Sequence, residues 1–332
     1  MAPMKLLVLG GTSFLGPHTV DAALARGHEV TLFNRGKTNA DLFPELEKLQ
    51  GDRNGDYASL KGRKWDAVID THAHIPRWVR LAADALKDSV GQYAFVSTCS
   101  VYPLPWSGNV KEDAPVEQLP AGVEEEPFAM EKYGALKVLC ERAAEERMPG
   151  RVTVARPGLI VGPLDPTDRF TYWPVRIARG GEVLAPGKPD GEVQFVDARD
   201  LGLFLVRTLE DGHAGIYNTV GFNGRLSMQE MLHACKGAIN TECSFTWCDE
   251  DFLLEQEVGP WMEMPLWIPT GEDAGGHFDC TKGMAHGLSF RPPAETMRDT
   301  WEWARTLPAD HRWGAGLAAD KEARVLKAWH AR

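Results

Sequence analysis

Short, continuous apolar runs alternate with amphipathic stretches through the first half of the chain. The runs predict strands at Lys5–Leu9, Glu29–Asn34, Ala67–Asp70, Tyr93–Ser97 and Thr153–Arg156, with a further, weaker strand region ahead of Gly51. Helical segments are predicted between them at Gly16–Arg26, Arg77–Asp88 and Glu131–Glu146. Strands that read as unbroken Val/Ile/Leu runs suit a parallel sheet covered on both faces, and their alternation with helices is the pattern of repeated βαβ units. The expected fold class is therefore α/β: a Rossmann-type doubly wound parallel sheet with a smaller C-terminal substrate-binding lobe.

The pattern breaks in two places. Residues 103–127 are rich in Pro, Gly and acids without any period, and read as a surface loop. After Pro157 the periodicity loosens, and Pro, Gly and Trp become frequent, including Trp173, Trp247, Trp261, Trp267, Trp301 and Trp303. The division this implies is a dinucleotide-binding domain over 1–160, with returning segments near 194–220, and a lobe built mainly from 161–332. Strands at Gln194–Val196 and Gly215–Val220 are the returning elements.

Composition narrows the function classes. A formal charge of −11 over 332 residues argues against a surface built to neutralise phosphate backbones, so no nucleic-acid partner is expected. No apolar run approaches the ~20 residues that span a bilayer, and no membrane partner is expected. The run Leu6-Leu7-Val8-Leu9 ends in Gly10-Gly11, too short for a secretory signal, and reads as a buried strand. Six cysteines (Cys99, Cys140, Cys235, Cys243, Cys248 and Cys280) are scattered without a CxxC pair, which suggests reduced thiols and a cytoplasmic protein. Cys243 and Cys248 lack further ligands at zinc spacing, so no metal is expected.

Gly10-Gly11-Thr12-Ser13-Phe14-Leu15-Gly16 follows the first strand and opens a helix. Small residues there let the backbone turn tightly against a pyrophosphate held at the helix N-terminus. Ser13 stands where a glycine is usual. Gly10, Thr12, Ser13, Phe14, Leu15 and Gly16 are thus candidate cofactor contacts. The second strand ends in Asn34, followed by Arg35 and Lys37. An NAD site usually carries a carboxylate here for the ribose 2′-hydroxyl; its loss, with an arginine able to hold a 2′-phosphate, favours NADP, with NAD as the other possibility. Asp52 is a candidate for the adenine amine. Thr71, in the run Asp70-Thr71-His72-Ala73-His74 that closes another strand, is a candidate lining residue. His72 and His74 have no third ligand at matching spacing.

Tyr133 and Lys137 lie four residues apart at a helix start, hence on one face. A phenol with a pKa near ~10 is a poor base at neutrality unless a nearby cation favours its ionised form. So placed, Tyr133 can exchange a proton with a hydroxyl or carbonyl oxygen while hydride moves at the same carbon.

Together with the glycine turn and the strand order, this pair resembles the short-chain dehydrogenase/reductase superfamily, in its extended, epimerase-like branch, over essentially the whole chain. The resemblance implies that Thr98, within Val96-Ser97-Thr98-Cys99-Ser100, holds the reacting oxygen, with Ser97 or Ser100 beside it. It also implies that Pro157, within Arg156–Pro163, flanks the nicotinamide, that Phe195–Asp200 is the segment returning from the lobe, and that two copies pair as a homodimer. Cys99 and Ser100 follow Thr98 where the family's dehydratases carry Asp-Glu, which disfavours dehydration. Glu192-Val193-Gln194 stands where nucleotide-sugar epimerases carry an arginine, and Asp197 replaces a common histidine, so a nucleotide-sugar substrate is disfavoured. Arg169, Tyr172 and Trp173 are the candidate substrate contacts, with Arg176, Trp261 and Trp267 nearby. Aromatics with a few cations suit a ring-bearing or acidic small molecule.

The expected function is an NADP(H)-dependent oxidoreductase that reduces a carbonyl, or oxidises the hydroxyl, of a small molecule, with Thr98, Tyr133 and Lys137 as its catalytic residues. The alternative is an epimerase working on a sugar-like substrate through a keto intermediate. Two binding readings rank lower: a non-catalytic NADP sensor, and an RNA-binding protein similar to the plant chloroplast stem-loop binders, which lack a clear Y-x-x-x-K.

Overall fold

The computed structural model describes residues 2–222, 224–239, 242–269 and 276–332. The chain opens with β1 (Lys5–Leu9), α1 (Leu15–Ala25), β2 (Glu29–Asn34), β3 (Glu47–Gln50), β4 (Ala67–Asp70), α2 (Pro76–Leu86) and β5 (Gln92–Val96). There follow β6 (Gly108–Val110), α3 (Tyr133–Arg147), β7 (Val152–Pro157), β8 (Leu159–Val161), α4 (Tyr172–Ala178) and β9 (Gly181–Pro186). Next come β10 (Phe195–Asp197), α5 (Ala198–Glu210), β11 (Gly215–Thr219), α6 (Met228–Ile239), β12 (Cys243–Cys248) and α7 (Glu250–Glu255). The last elements are β13 (Gly276–Phe278), α8 (Thr281–Ala285), α9 (Pro293–Ala304) and α10 (Ala319–His330).

Seven strands form one parallel sheet in the order β11-β7-β5-β4-β1-β2-β3. Leu9 lies beside Phe33 on one side and Asp70 on the other. The order of connection reverses between β1 and β4, so the loops leaving these two strands diverge and open a crevice at their carboxyl ends. The expected strands of the first half fall on β1, β2, β4, β5 and β7 with at most a one-residue shift at either end.

Alternation along each strand sends side chains to both faces. Leu6 and Val8 of β1 pack with Leu15 and Val20 of α1 and with Leu201 and Leu205 of α5. Leu7 and Leu9 face the other way, into a core with Val79 and Ala83 of α2 and Cys140 and Ala144 of α3. Within α3, Leu136, Val138 and Cys140 are all buried in their own chain.

The lobe has its own core, in which Phe170, Trp173, Ile177, Leu184, Met231, Leu232 and Met297 are fully or almost fully buried. It begins after β8 but does not run uninterrupted to the end of the chain. Residues 195–219 rejoin the first domain: β10 pairs with β8, α5 packs across α1, and β11 forms the sheet edge beside β7. Asp197, the residue standing in for a common histidine, caps α5 by accepting from Arg199 N at 2.8 Å and holds the Arg199 guanidinium at 2.7 Å. The 103–127 segment also departs from a plain surface loop. It contains β6, which pairs in parallel with β13 of the lobe, and Trp106 packs edge-on against Phe278 with ring centroids 5.0 Å apart.

One charged network is buried between these layers. Arg156 of β7 and Glu141 of α3, 3% and 6% exposed, form a two-pronged pair with N–O distances of 3.0 and 2.6 Å. Glu141 also accepts from Ser97 Oγ just past β5 at 2.5 Å. Arg156 donates onward to the Tyr102 hydroxyl at 2.9 Å, and Tyr102 donates to Asn218 of β11 at 2.7 Å. Replacing Arg156 by Met leaves the Glu141 carboxylate buried without its counter-charge, and urea denaturation is expected to show a loss of about 3–5 kcal/mol. The double variant Arg156→Met/Glu141→Leu should recover most of that loss.

Candidate active site

The loop between β1 and α1 is shaped by positions that admit no side chain. Gly10 and Gly11 adopt φ of 114° and 86°, the left-handed region that favours glycine. A Cβ on Gly10 would lie 2.7 Å from Thr71 Oγ1, and one on Gly16 would lie 2.7 Å from the Gly11 Cα. The loop therefore closes onto β4 and onto its own helix, leaving its outer edge as bare backbone. Phe14 precedes α1 without a side-chain cap, so the first amides of the helix have no side-chain partner. An uncapped helix start carrying partial positive charge, behind a turn without side chains, fits the pyrophosphate of a dinucleotide.

This loop forms one end of a cavity of about 1140 Å³ that runs between the sheet and the lobe. That is somewhat above the ~300–1,000 Å³ of common small-molecule sites, and leaves room for a dinucleotide and a second molecule. Gly10, Thr12, Ser13, Phe14, Leu15, Asn34, Arg35, Asp52, Thr71 and Pro157 all line it; Gly16 stands behind the loop as its packing contact. Asn34 accepts from Gly36 N at 2.8 Å and donates to Gly10 O at 3.3 Å, tying the end of β2 to the glycine turn. Asp52 uses one carboxylate oxygen on Asn54 N at 2.9 Å. Thr71 donates to Leu9 O at 3.1 Å, bridging the divergent ends of β1 and β4. Arg53 is already paired with Asp70 at 3.3 Å, whereas among the described residues Arg35 and Lys37 have no ion-pair partner.

Thr98 and Tyr133 line the same cavity further along. Thr98 caps the single 3-10 turn after β5, accepting from Ser100 N at 3.1 Å and donating to Ser100 Oγ at 3.2 Å. Burial pushes the Tyr133 phenol above its ordinary value, while a hydrogen bond with Thr98 and the charge of Arg169 pull it back. Lys137 does not face the cavity as its spacing from Tyr133 suggests. Its ammonium is buried, donates to Ala73 O and Val96 O at 2.6 Å each, and lies 4.3 Å over the Phe95 ring. Two carbonyls, one in the loop after β4 and one at the end of β5, attract it, so in this structure it holds the floor of the site.

Of the candidate substrate contacts, Arg169 lines the cavity and the other two do not. Trp173 is fully buried and donates from Nε1 to Pro265 O at 2.9 Å; Tyr172 packs edge-on against it, with ring centroids 4.9 Å apart. Both belong to the lobe core, because α4 turns its first residues toward α6 and α9 rather than toward the sheet. Arg176 is likewise internal, paired with Glu322 at 2.6 Å. Trp261 and Trp267 do reach the cavity. Trp106, Met130, Trp78 and Phe278 line it as well and carry no advance signal beyond residue type, and His72 and His74 line it with the loop that follows β4. Trp106 belongs to the aperiodic stretch between β5 and α3, whose β6 pairs with β13 of the lobe.

His72 and His74 meet edge-on, with ring centroids 5.2 Å apart. Among the described residues no group of three or more His, Cys, Asp or Glu side chains is arranged to hold a metal ion. No described helix is long and apolar enough to cross a membrane. All six cysteines are free and buried.

The fold and the cleft together define a class, and comparison with known proteins agrees with it. The model of the NAD dependent epimerase/dehydratase family matches residues 6–219, and the chain belongs to that family. The chain is 31% identical over 222 residues to a 2-alkyl-3-oxoalkanoate reductase of Stenotrophomonas maltophilia, covering 61% of this chain and 64% of that one. It is 32% identical over 115 residues to the chloroplast stem-loop binding protein of 41 kDa b of Arabidopsis thaliana, covering 30% of each. Less than two thirds of either relative is spanned. A solved UDP-glucose 4-epimerase superposes with a TM-score of 0.68 over 93% of this chain and 99% of its own, at 15% identity, so the two share a fold.

Gly16→Ala places a methyl group inside the backbone of Gly11. Fluorescence titration with a reduced nicotinamide dinucleotide is expected to show affinity reduced about tenfold or more, with about 1–3 kcal/mol of stability lost to overpacking.

Proposed function

We propose that the protein is an NADP(H)-dependent oxidoreductase that reduces a carbonyl, or oxidises the corresponding hydroxyl, of a small molecule, with Tyr133 as the acid/base. The observation that carries this reading is the placement of the Tyr133 phenol and the Thr98 hydroxyl in the same cavity as the glycine turn. NADP(H), when bound, supplies or accepts the hydride. In the reducing direction Tyr133 delivers its proton to the substrate oxygen, and in the oxidising direction it takes the proton back. Thr98 holds the same oxygen by a hydrogen bond, which orients the carbonyl for attack and shares the charge that develops on it. Lys137 keeps α3 anchored to the loop after β4 and to the end of β5, so that Tyr133 stays in the cavity that holds the glycine turn.

Several features support the finer choices. At the end of β2 the Asn34 side chain is spent on backbone, and Arg35 and Lys37 stand at the cavity without a carboxylate, which suits a 2′-phosphate better than a bare ribose. The residues after Thr98 offer no acid for dehydration: Cys99 is a buried thiol pushed up to about 12 and Ser100 is neutral. Epimerisation through a keto intermediate would use the same tyrosine and threonine. The wall formed by Trp106, Trp261, Trp267, Met130 and Phe278 suits an apolar body better than a sugar, and places reduction first. The relative that reduces an oxoalkanoate accords with that preference. A formal charge of −11 opposes a polyanionic partner, so we read no role in nucleic-acid binding. Six free thiols suit the reducing cytoplasm, and a homodimer rests on the family resemblance alone.

Two measurements test this reading. Tyr133→Phe is expected to lower turnover by about 10²–10⁴-fold while NADPH still binds; unchanged turnover refutes the acid/base role. Arg35→Ser is expected to weaken NADPH by about tenfold to a hundredfold, as for a lost charge-assisted pair, and to leave NADH almost unaffected. Equal losses for both cofactors would reassign Arg35.

A further inference from the structure

Arg169 differs from the other internal arginines of the described structure. Arg156 and Arg176 are each matched to a buried carboxylate. Arg169 lines the cavity, and its guanidinium is half-buried with no carboxylate within ion-pair distance among the described residues. Its Nε donates to Thr167 Oγ1 at 3.1 Å, and that hydroxyl in turn donates to Asp165 Oδ1 at 2.7 Å. Asp165 is 1% exposed and also receives Thr167 N at 2.9 Å, so the support is rigid. The neighbouring Asp168 is turned away, accepting from His311 at 3.1 Å and from Gly314 N at 2.8 Å. The Trp261 ring lies 5.7 Å from the guanidinium carbon. The two terminal amino groups have no hydrogen-bond partner among the described residues. Desolvation lowers the guanidinium pKa, the buried Asp165 carboxylate opposes that shift, and Tyr133, which lines the same cavity, acts on the same charge.

Asp165 supplies a negative charge one hydroxyl away, but the two terminal amino groups of Arg169 stay unmatched, and a fork oriented by its own Nε is preset for a planar, two-oxygen acceptor. We infer that Arg169 holds a carboxylate of the substrate, so that the substrate is an oxo acid, or its hydroxy acid, with an apolar body against the tryptophans. This rests on the reading of Tyr133 as the acid/base. A single carboxylate matches the single fork, and Trp261, Trp267 and Leu266 provide an apolar wall beyond it.

The test compares 3-phenylpropanoate with 3-phenylpropanamide, which share shape and differ in charge, by quenching of tryptophan fluorescence in the NADPH-loaded protein. The acid is expected to bind about tenfold or more tighter than the amide, as a charge-assisted pair predicts. Arg169→Gln should erase that preference by weakening the acid alone, and Arg169→Lys should keep part of it. Unchanged NADPH affinity in both variants reports an intact fold. Equal binding of acid and amide to the unaltered protein, an equal loss of both in Arg169→Gln, or no detectable binding of the acid overturns the inference. Tyr133→Phe separates the two readings: it should keep the acid preference while losing turnover. Retained turnover there refutes the acid/base role without touching the carboxylate site.

Discussion

The buried pair between Arg156 and Glu141 is the constraint on which the rest of the site depends. α3 begins with Tyr133, and Thr98 follows directly on β5. Their separation is set by how α3 lies across the ends of β5 and β7. Apolar packing under α3 supplies adhesion but little direction, because Ala, Val and Leu contacts tolerate small slides. A two-pronged ion pair away from water tolerates almost none: a shift that lengthens it leaves a desolvated charge unmatched. By gripping Arg156 on one side and Ser97 on the other, Glu141 locks α3 to two strands at once. Tyr102 and Asn218 carry the same lock to β11 at the sheet edge.

The distribution of charge in the crevice follows from what is already neutralised. Lys137 is saturated by two carbonyls and Arg53 faces Asp70. The cations left at the cavity without a carboxylate include Arg35 and Lys37 near the end of β2 and Arg169 near Tyr133. Arg35 and Lys37 follow directly on β2, whereas Arg169 belongs to the lobe.

The lobe closes the cavity by reaching back rather than by simply following the first domain. β10 and α5 return to the sheet, and β13 pairs with β6 from the loop that precedes α3. Trp106 and Phe278 meet at that junction and roof the cavity. Both halves of the chain therefore contribute walls to one site.

The sequence by itself determined the sheet and its crevice. Buried parallel strands must be unbroken apolar runs, and the turn after β1 must lack side chains, so β1, β2, β4, β5 and β7 and the run Gly10–Gly16 were legible from local pattern alone. Residue type and spacing also marked Tyr133 and Arg169, and the family resemblance marked Thr98. Tertiary structure decided whatever depends on which way a side chain points when several options have the same local character. A helical spacing of four set Lys137 one turn from Tyr133, yet the carbonyls of Ala73 and Val96, remote in the chain, drew its ammonium inward. Tyr172 and Trp173 have the composition of a binding wall and became core, because α4 packs on α6 and α9, and nothing local encodes that choice. Trp106, in a stretch with no period, became a wall because a strand some 170 residues later pairs beside it. Local sequence specifies conformation and polarity, whereas the partner that satisfies a polar or aromatic group arrives only when distant segments meet.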